Sequence, residues 1–517
     1  MNGAQSLIHT LVGAGVDVCF ANPGTSEMHF VAALDSVPRM RCVLGLFEGV
    51  VTGAADGFAR MAGRPAGALL HLGPGLGNGL ANLHNARKGH VPVVTIVGDH
   101  ATYHRGLGAP LESDIETVAR NVSAWVRTSA TAGRVGADAA DAVAAAAGAP
   151  GQVATLILPA DVSWTDGGRV AAAVTPAGRA TVPGEAIAEV AAAVRSDAPA
   201  LLLLGGPLLA DPAALGAAQR ICAATGARML AEVFPTRLAR GAGVVPVERL
   251  GYFAEQAGAQ LDGVAHLVLA GAAPPVAFFA HPGRPNELTP PGCRTHVLAG
   301  PADDGAGALD ALATALRAPA TTVPARPRPQ RPRGALDAAA IARAVGAVLP
   351  EGAIVSEEAI TSAVHLPDAT AGGPPHDWLT LTGGAIGQGL PVATGAAIAC
   401  PDRRVLALQA DGSAMYTLQA LWTQAREGLD VTTVIYNNAS YEILKVELDR
   451  VGVSEAGDRA RALYDLGRPR LDFVALARGM GVPATRAETA EQFTRHLERA
   501  LAEPGPTLID AVVPQVS

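Results

Sequence analysis

The chain has 517 residues, 49% of them hydrophobic and 17% charged, with a formal net charge of −8 and a pI near 5.9. That composition excludes a disordered chain, the acidic balance gives no footprint for nucleic acid, and the length implies roughly two to four domains. No stretch approaches the roughly 20 consecutive apolar residues of a membrane span, and the N-terminus lacks a basic segment followed by an apolar one.

Residues 1–170 alternate helical and strand patterns. An amphipathic helix is predicted from Ala4 to Gly15, a strand from Val16 to Phe20 and a turn at Asn22-Pro23-Gly24. A helix from Ser26, a strand from Cys42 to Leu46 and a helix from Gly49 to Ala62 follow, then strands at 66–70, 93–97 and 153–158. Alternation of this kind predicts a doubly wound α/β layout on a parallel sheet. Residues 175–184, rich in Pro, Gly and Ala, read as a linker. A second unit, 185–317, has strand patterns at 201–204, 228–233, 267–269 and 295–298, and no GxGxxG follows the first of them. Residues 319–334, dominated by Pro and Arg, form a second linker, and a third unit covers 335–517.

The third unit holds the most informative stretch. Val405–Leu408 reads as a buried strand broken by Asp411-Gly412-Ser413, and a helix is predicted over 415–427, stopped by Gly428. Val431–Tyr436 is the next strand, ending in Asn437-Asn438. A right-handed strand–helix–strand unit puts both strand ends on one edge, so Asp411 and Asn438, 27 positions apart, become neighbours. Two hard oxygen ligands beside a helix N-terminus suit Mg²⁺ carrying a diphosphate.

This pattern resembles the Gly-Asp-Gly…Asn-Asn motif of thiamine diphosphate (ThDP) enzymes, and the three-unit order resembles their decarboxylase and acetolactate synthase family. The resemblance implies an α/β fold of three doubly wound parallel-sheet domains: an aminopyrimidine-binding (Pyr) domain, a middle domain and a diphosphate-binding (PP) domain. It implies Mg²⁺ ligation by Asp411, Asn438 and the carbonyl of Ser440, and cofactor contacts from Gly412, Ser413, Ala414 and Tyr441. One departure is plain: Ala410 stands where the motif has its first glycine, which matters only if the position needs positive φ.

Glu48, at a strand end in Phe47-Glu48-Gly49-Val50, looks like the family's activating glutamate. A carboxyl group bonded to N1′ of the aminopyrimidine favours the tautomer whose 4′-nitrogen removes the C2 proton, and apolar neighbours help it share a proton. The plainer reading of Glu48 is an acid favoured by the helix dipole. In Gly383-Gly384-Ala385-Ile386-Gly387 the resemblance gives the Gly384 carbonyl to the 4′-amino group and Ile386 to the bend of the cofactor. Asn22-Pro23-Gly24-Thr25 resembles a benzoylformate decarboxylase segment whose substrate-facing serine is Thr25 here, although Thr25 or Ser26 also suits a helix cap.

His71 matches the active-site histidine of benzoylformate decarboxylases, where an imidazole could hold a 2-oxo acid carboxylate and transfer a proton. His100 and His104 lie in a loop where pyruvate decarboxylases carry adjacent histidines, and one of the two is a candidate for reaching substrate. His281 falls near a second benzoylformate decarboxylase histidine, with a local slip in register. Glu357, Glu358 and Thr361 open the third unit after a strand; one of them is a candidate for facing the cofactor, but surface acids are the better reading. Acetolactate synthases are the other near relatives, but the loop after Gly98 has Ala109-Pro110-Leu111-Glu112 in place of their Phe-Gln pair, and no FAD-binding run is evident.

The expectation is therefore a ThDP- and Mg²⁺-dependent enzyme that decarboxylates a small 2-oxo acid, with aldehyde release or carboligation to an acyloin. An acetolactate synthase-type carboligase without FAD and a non-catalytic ThDP-fold protein are the alternatives. By resemblance the protein is expected to be a homodimer or homotetramer with sites at the subunit interface; its charge and hydropathy predict no nucleic-acid or membrane partner. Five scattered cysteines without CxxC spacing suit a reduced, cytoplasmic protein.

Overall fold

The computed structural model describes residues 1–453 and 456–515. Three sheets organise them, parallel but for one edge strand of the third. The first contains β1 (Val18–Ala21), β2 (Arg41–Leu44), β3 (Ala66–Leu70), β4 (Val93–Asp99), β5 (Trp125–Thr128) and β6 (Val153–Pro159). Their spatial order is β2-β1-β3-β4-β6-β5, every pair parallel. β3, β4 and β6 are buried along their whole length, because helices cover both faces.

The second segment supplies β7 (Ala200–Leu204), β8 (Arg228–Ala231), β9 (Leu238–Arg240), β10 (His266–Ala270) and β11 (Arg294–Ala299). Four of these form the sheet β11-β10-β7-β8. The short β9 leaves it and pairs antiparallel with β13 (His376–Leu379) at the edge of the third sheet. That sheet also holds β12 (Ile354–Glu358), β14 (Val405–Ala410), β15 (Val431–Asn437), β16 (Ala484–Ala487) and β17 (Thr507–Val512), in the order β16-β17-β15-β14-β12-β13-β9.

The helices Glu48–Ala62 and Gly389–Ala399 join the first and third sheets into one continuous core. Their backbones approach so closely that a Cβ at Gly57 would stand 2.1 Å from the Val392 carbonyl oxygen, and one at Gly395 1.9 Å from that of Ala54. The abundance of small residues has this consequence: backbone packs on backbone. A fully buried ion pair within the first of these helices, Arg60 Nε to Asp56 Oδ1 at 2.6 Å, faces the same junction. Arg60 also donates to the Thr380 carbonyl at 2.8 Å and the Thr382 hydroxyl at 3.0 Å, while the Gln388 amide donates to Asp56 at 2.5 Å.

One predicted element is different. The helix expected over 415–427 is a short turn of helix, Asp411–Ala414, then a non-helical stretch, then the helix Ala420–Glu427. The interruption lets the Thr417 hydroxyl donate to the Gly387 carbonyl at 2.9 Å, so local helical periodicity yields to a tertiary contact.

Candidate active site

Two sheet edges carry the candidate residues. On the first, β2 runs out through Gly45–Phe47 to Glu48, which opens a helix and is 7% exposed. Its carboxylate accepts from the Asn78 amide at 3.0 Å. β3 ends at His71, which precedes the helix Leu72–Lys88. A Cβ at Gly75 would lie 3.3 Å from the Glu48 Oε1 and 3.4 Å from the His71 Cβ, so only this glycine's backbone separates the two side chains.

His71 has a partner that the sequence did not disclose. Its Nδ1 lies 2.8 Å from Glu27 Oε2, and the same oxygen accepts from the Gly24 amide at 2.7 Å. The Ser26 hydroxyl donates to the other oxygen of Glu27 and lies 3.2 Å from His71 Nδ1. Glu27 is 3% exposed and occupies room left by Gly98, where a Cβ would collide with its carboxylate. A carboxylate on Nδ1 fixes the tautomer and orientation of the ring and leaves Nε2 for a ligand. The only sequence signal was a Glu in the predicted first helical turn, which reads equally as a cap; the segment Thr25–Glu27 is in fact a 3₁₀ turn that aims it inward. Thr25 is exposed at the start of that turn.

On the third sheet, Ala410 pairs with Tyr436 across β14 and β15, which brings Asp411 beside Asn438. Asp411 accepts from the Gly412 amide at 2.8 Å and the Ala439 amide at 2.7 Å; the Asn438 side-chain oxygen accepts from the Ser440 amide at 3.0 Å. Asp411 is 2% exposed, and burial pushes its carboxyl up to about 6 despite those amide donors. Ser413, Ala414 and Ser440 are also buried, and the Tyr441 ring packs on Gly412. Ala410 itself has φ −70° and ψ 147°, extended backbone that any residue adopts, so the missing motif glycine costs no strain.

The facing loop is held by a residue expected on the surface. Glu358 is 1% exposed, and it accepts from the amides of Gly387 at 2.6 Å and Gly389 at 2.5 Å and from the Gln409 side chain at 2.9 Å. Burial pushes its carboxyl up to about 7. Gly384 and Gly387 have φ of +78° and +93°, which glycine alone adopts without strain. The loop therefore presents the Gly384 carbonyl and the half-buried Ile386 in a shape fixed from beneath. Glu357 is buried too, 3.7 Å from Arg249.

The remaining histidines are dispersed. His104 is exposed, with its ring 5.3 Å from that of His100. His281 lies 3.5 Å from Glu447, which is on the helix Glu442–Arg450 that follows the Asn438 loop. Among the described residues no hydrogen bond or ion pair joins Glu48 or His71 to Asp411, Asn438 or Ser440.

The donor set on the third sheet fits Mg²⁺. No cluster of three His, Cys, Asp or Glu side chains that could hold a metal occurs among the described residues. Here the candidates are one carboxylate, one amide oxygen and one carbonyl, all hard oxygen ligands of the kind Mg²⁺ takes. Asp411 forms no ion pair within the described chain, so a cation beside it would compensate its buried charge.

Three α/β units with an Asp–Asn oxygen pair at one sheet edge and a buried glutamate at another suit a cofactor-dependent enzyme of the diphosphate-binding class. The N-terminal and C-terminal binding-domain families of thiamine pyrophosphate enzymes match residues 1–119 and 359–511, and the chain belongs to the thiamine pyrophosphate enzyme family. A putative acetolactate synthase large subunit, IlvX, of Mycobacterium tuberculosis is 62% identical over 100% of both chains. Benzoylformate decarboxylase of Pseudomonas aeruginosa is 32% identical over 96% of each. The solved ThDP-dependent 4-hydroxybenzoylformate decarboxylase of Rhodococcus jostii RHA1 superposes with a TM-score of 0.85 at 26% identity, covering 100% of both chains. The chain is thus a ThDP-family enzyme of the decarboxylase and acetolactate synthase group, and no helix among its described residues is long and apolar enough to cross a membrane.

Proposed function

We propose that the protein decarboxylates a 2-oxo acid with ThDP and Mg²⁺, releasing an aldehyde or joining the product to a second carbonyl compound as an acyloin. The observation that carries this reading is the buried, unpaired Asp411 carboxylate held beside Asn438. Asp411, Asn438 and the Ser440 carbonyl hold Mg²⁺, and the short helix opened by Asp411 offers its amides to the diphosphate. ThDP, when bound, supplies the electron sink for the pair released with CO₂. Glu48 holds a proton at the aminopyrimidine, while the Gly384 carbonyl and Ile386 orient that ring. His71, fixed through Nδ1 by Glu27, directs Nε2 at the substrate carboxylate, and Thr25 flanks it.

The units divide near 1–170, 185–317 and 335–517 in this reading. The site is completed by the Pyr unit of one copy and the PP unit of another, in a cytoplasmic homodimer or homotetramer. Sedimentation of an active monomer would overturn it. Identity of 62% to a putative acetolactate synthase favours a second reading, carboligation of pyruvate with another 2-oxo acid.

The test is incubation with ThDP, Mg²⁺ and a panel of 2-oxo acids, with CO₂ and product analysis. Aldehyde or acyloin with CO₂ supports the first reading, acetolactate from pyruvate supports the second, and no CO₂ from any acid defeats both. Glu48→Gln should lower turnover by about 10³-fold, within the range for a positioned proton-transfer group, and leave Mg²⁺–diphosphate binding largely intact. Retained activity would contradict the role of Glu48.

A further inference from the structure

The chain is poor in aromatic residues, at 4%, yet four of its ten phenylalanines and one of its six tyrosines gather at one place. Phe234, Tyr252, Phe253, Phe278 and Phe279 of the middle unit form a continuous set of ring contacts. Phe278 stands 4.9 Å from Phe279, 5.0 Å from Tyr252 and 5.9 Å from Phe234, centroid to centroid, and Tyr252 stands 5.0 Å from Phe253. The cluster is not a closed core: Phe278 is 42% exposed and Phe279 56%.

Its position is specific. A Cβ at Gly384 would lie 2.5 Å from the Phe278 ring, so the ring rests on the loop whose carbonyl faces the cofactor in the reading above. On the far side it meets the helix Glu442–Arg450, through His281 and Glu447. We infer that this aromatic wall is the side-chain pocket of the site and that the substrate is an aryl 2-oxo acid. The inference rests on the proposed decarboxylase reading and deepens it.

The charges around the wall discriminate against other side chains. Glu447 is paired with His281 and Arg450, Glu255 with Arg284 and Arg450, and the Arg450 guanidinium lies 4.2 Å over the Phe253 ring. Each of these acids and bases already faces a partner, so none of them is offered singly to a charged side chain. A methyl group, as in pyruvate, would cover little of the exposed ring surface. A planar apolar ring would cover much of it and meet Phe278 and Phe279 in edge or offset geometry.

The test uses the ThDP- and Mg²⁺-loaded protein with phenylglyoxylate, phenylpyruvate, 2-oxoisovalerate and pyruvate, following CO₂. Whichever aryl acid is preferred, its kcat/KM should exceed that of pyruvate by about 30-fold, the scale of burying one aromatic side chain. Phe278→Ala should lower the aryl-to-pyruvate ratio of kcat/KM by about fivefold, and Phe278→Leu by less. Pyruvate turned over as well as or better than both aryl acids would overturn the inference while leaving the decarboxylase reading in place. An unchanged ratio in both variants, with cofactor binding retained, would also overturn it. No CO₂ from any acid, with ThDP bound, would remove the decarboxylase reading and this inference together.

Discussion

The two candidate edges treat their acids in opposite ways. On the first sheet each carboxylate is answered within the chain: Glu27 by His71 and two further donors, Glu48 by Asn78, and Asp99 by Arg105 at 2.5 Å. On the third sheet Asp411 and Glu358 are more deeply buried, form no ion pair among the described residues and receive only amide donors; burial pushes their carboxyl groups upward, as it does that of Asp99. An edge with satisfied acids is prepared to hold and move protons. In the proposed reading, a buried carboxylate with amide donors but no ion pair among the described residues would take a cation, and with it a diphosphate.

The junction between the edges is where the comparison can be broken most severely. Arg60→Ala leaves Asp56 charged and buried opposite Gln388, and should reduce stability by about 3–5 kcal/mol, as for other buried pairs that lose one partner. The denaturant midpoint at constant slope reads this. Replacing both members, Asp56→Leu with Arg60→Met, should cost much less, because no uncompensated charge remains. Equal losses in the single and double variants would mean that packing, not charge, holds the two edges together.

Glu358 sharpens the contrast through pH. Its carboxyl titrates at about 7 in the fold against an ordinary value of 4.5, so the folded chain binds this proton more tightly than the unfolded chain. The stability tied to it is full below about 4.5 and is lost as pH rises through 7, a fall of about 3 kcal/mol in scale. The difference in stability between the wild type and Glu358→Gln should change over that window in this direction. A pH-independent difference would show that Glu358 is charged throughout, and the two edges would then be less distinct.

Asp411→Ala should weaken ThDP retention in Mg²⁺ by about 100-fold or more, since even outer partners of a metal site contribute 10–100-fold. Equilibrium dialysis of cofactor against Mg²⁺ concentration measures it. The first edge should be untouched, with the His71–Glu27 pair still in place. Unaltered cofactor binding would remove Asp411 from the ligand set.

What could be read in the sequence follows the range of the forces involved. Strands buried on both faces, such as Ala66–Leu70 and Thr507–Val512, carry their assignment in an unbroken local pattern. The neighbourhood of Asp411 and Asn438 followed from a chirality rule that needs only a short stretch of chain. Glu27 and Glu358 were not legible, because their partners His71, Gly387 and Gln409 lie 44, 29 and 51 positions away. The break after Ala414 was hidden for the same reason, being set by Thr417 reaching Gly387.

The smallest expected effect concerns the motif position that departs from its family. A glycine there would be needed if the backbone were left-handed or if a Cβ met a neighbour. Ala410 satisfies neither condition for difficulty: its φ is −70°, its side chain lies at the end of β14, and it stands half-buried opposite Tyr436. Ala410→Gly should therefore restore the family motif without improving cofactor binding, which should stay within about twofold. It should cost up to about 1 kcal/mol of stability, since glycine loses more backbone freedom on folding than alanine. ThDP titration and denaturant unfolding of the same variant separate the two effects. A gain in affinity of tenfold or more would show that the cofactor approaches this strand end more closely than its extended backbone implies, and that the edge on the third sheet is shaped by alanine as well as by charge.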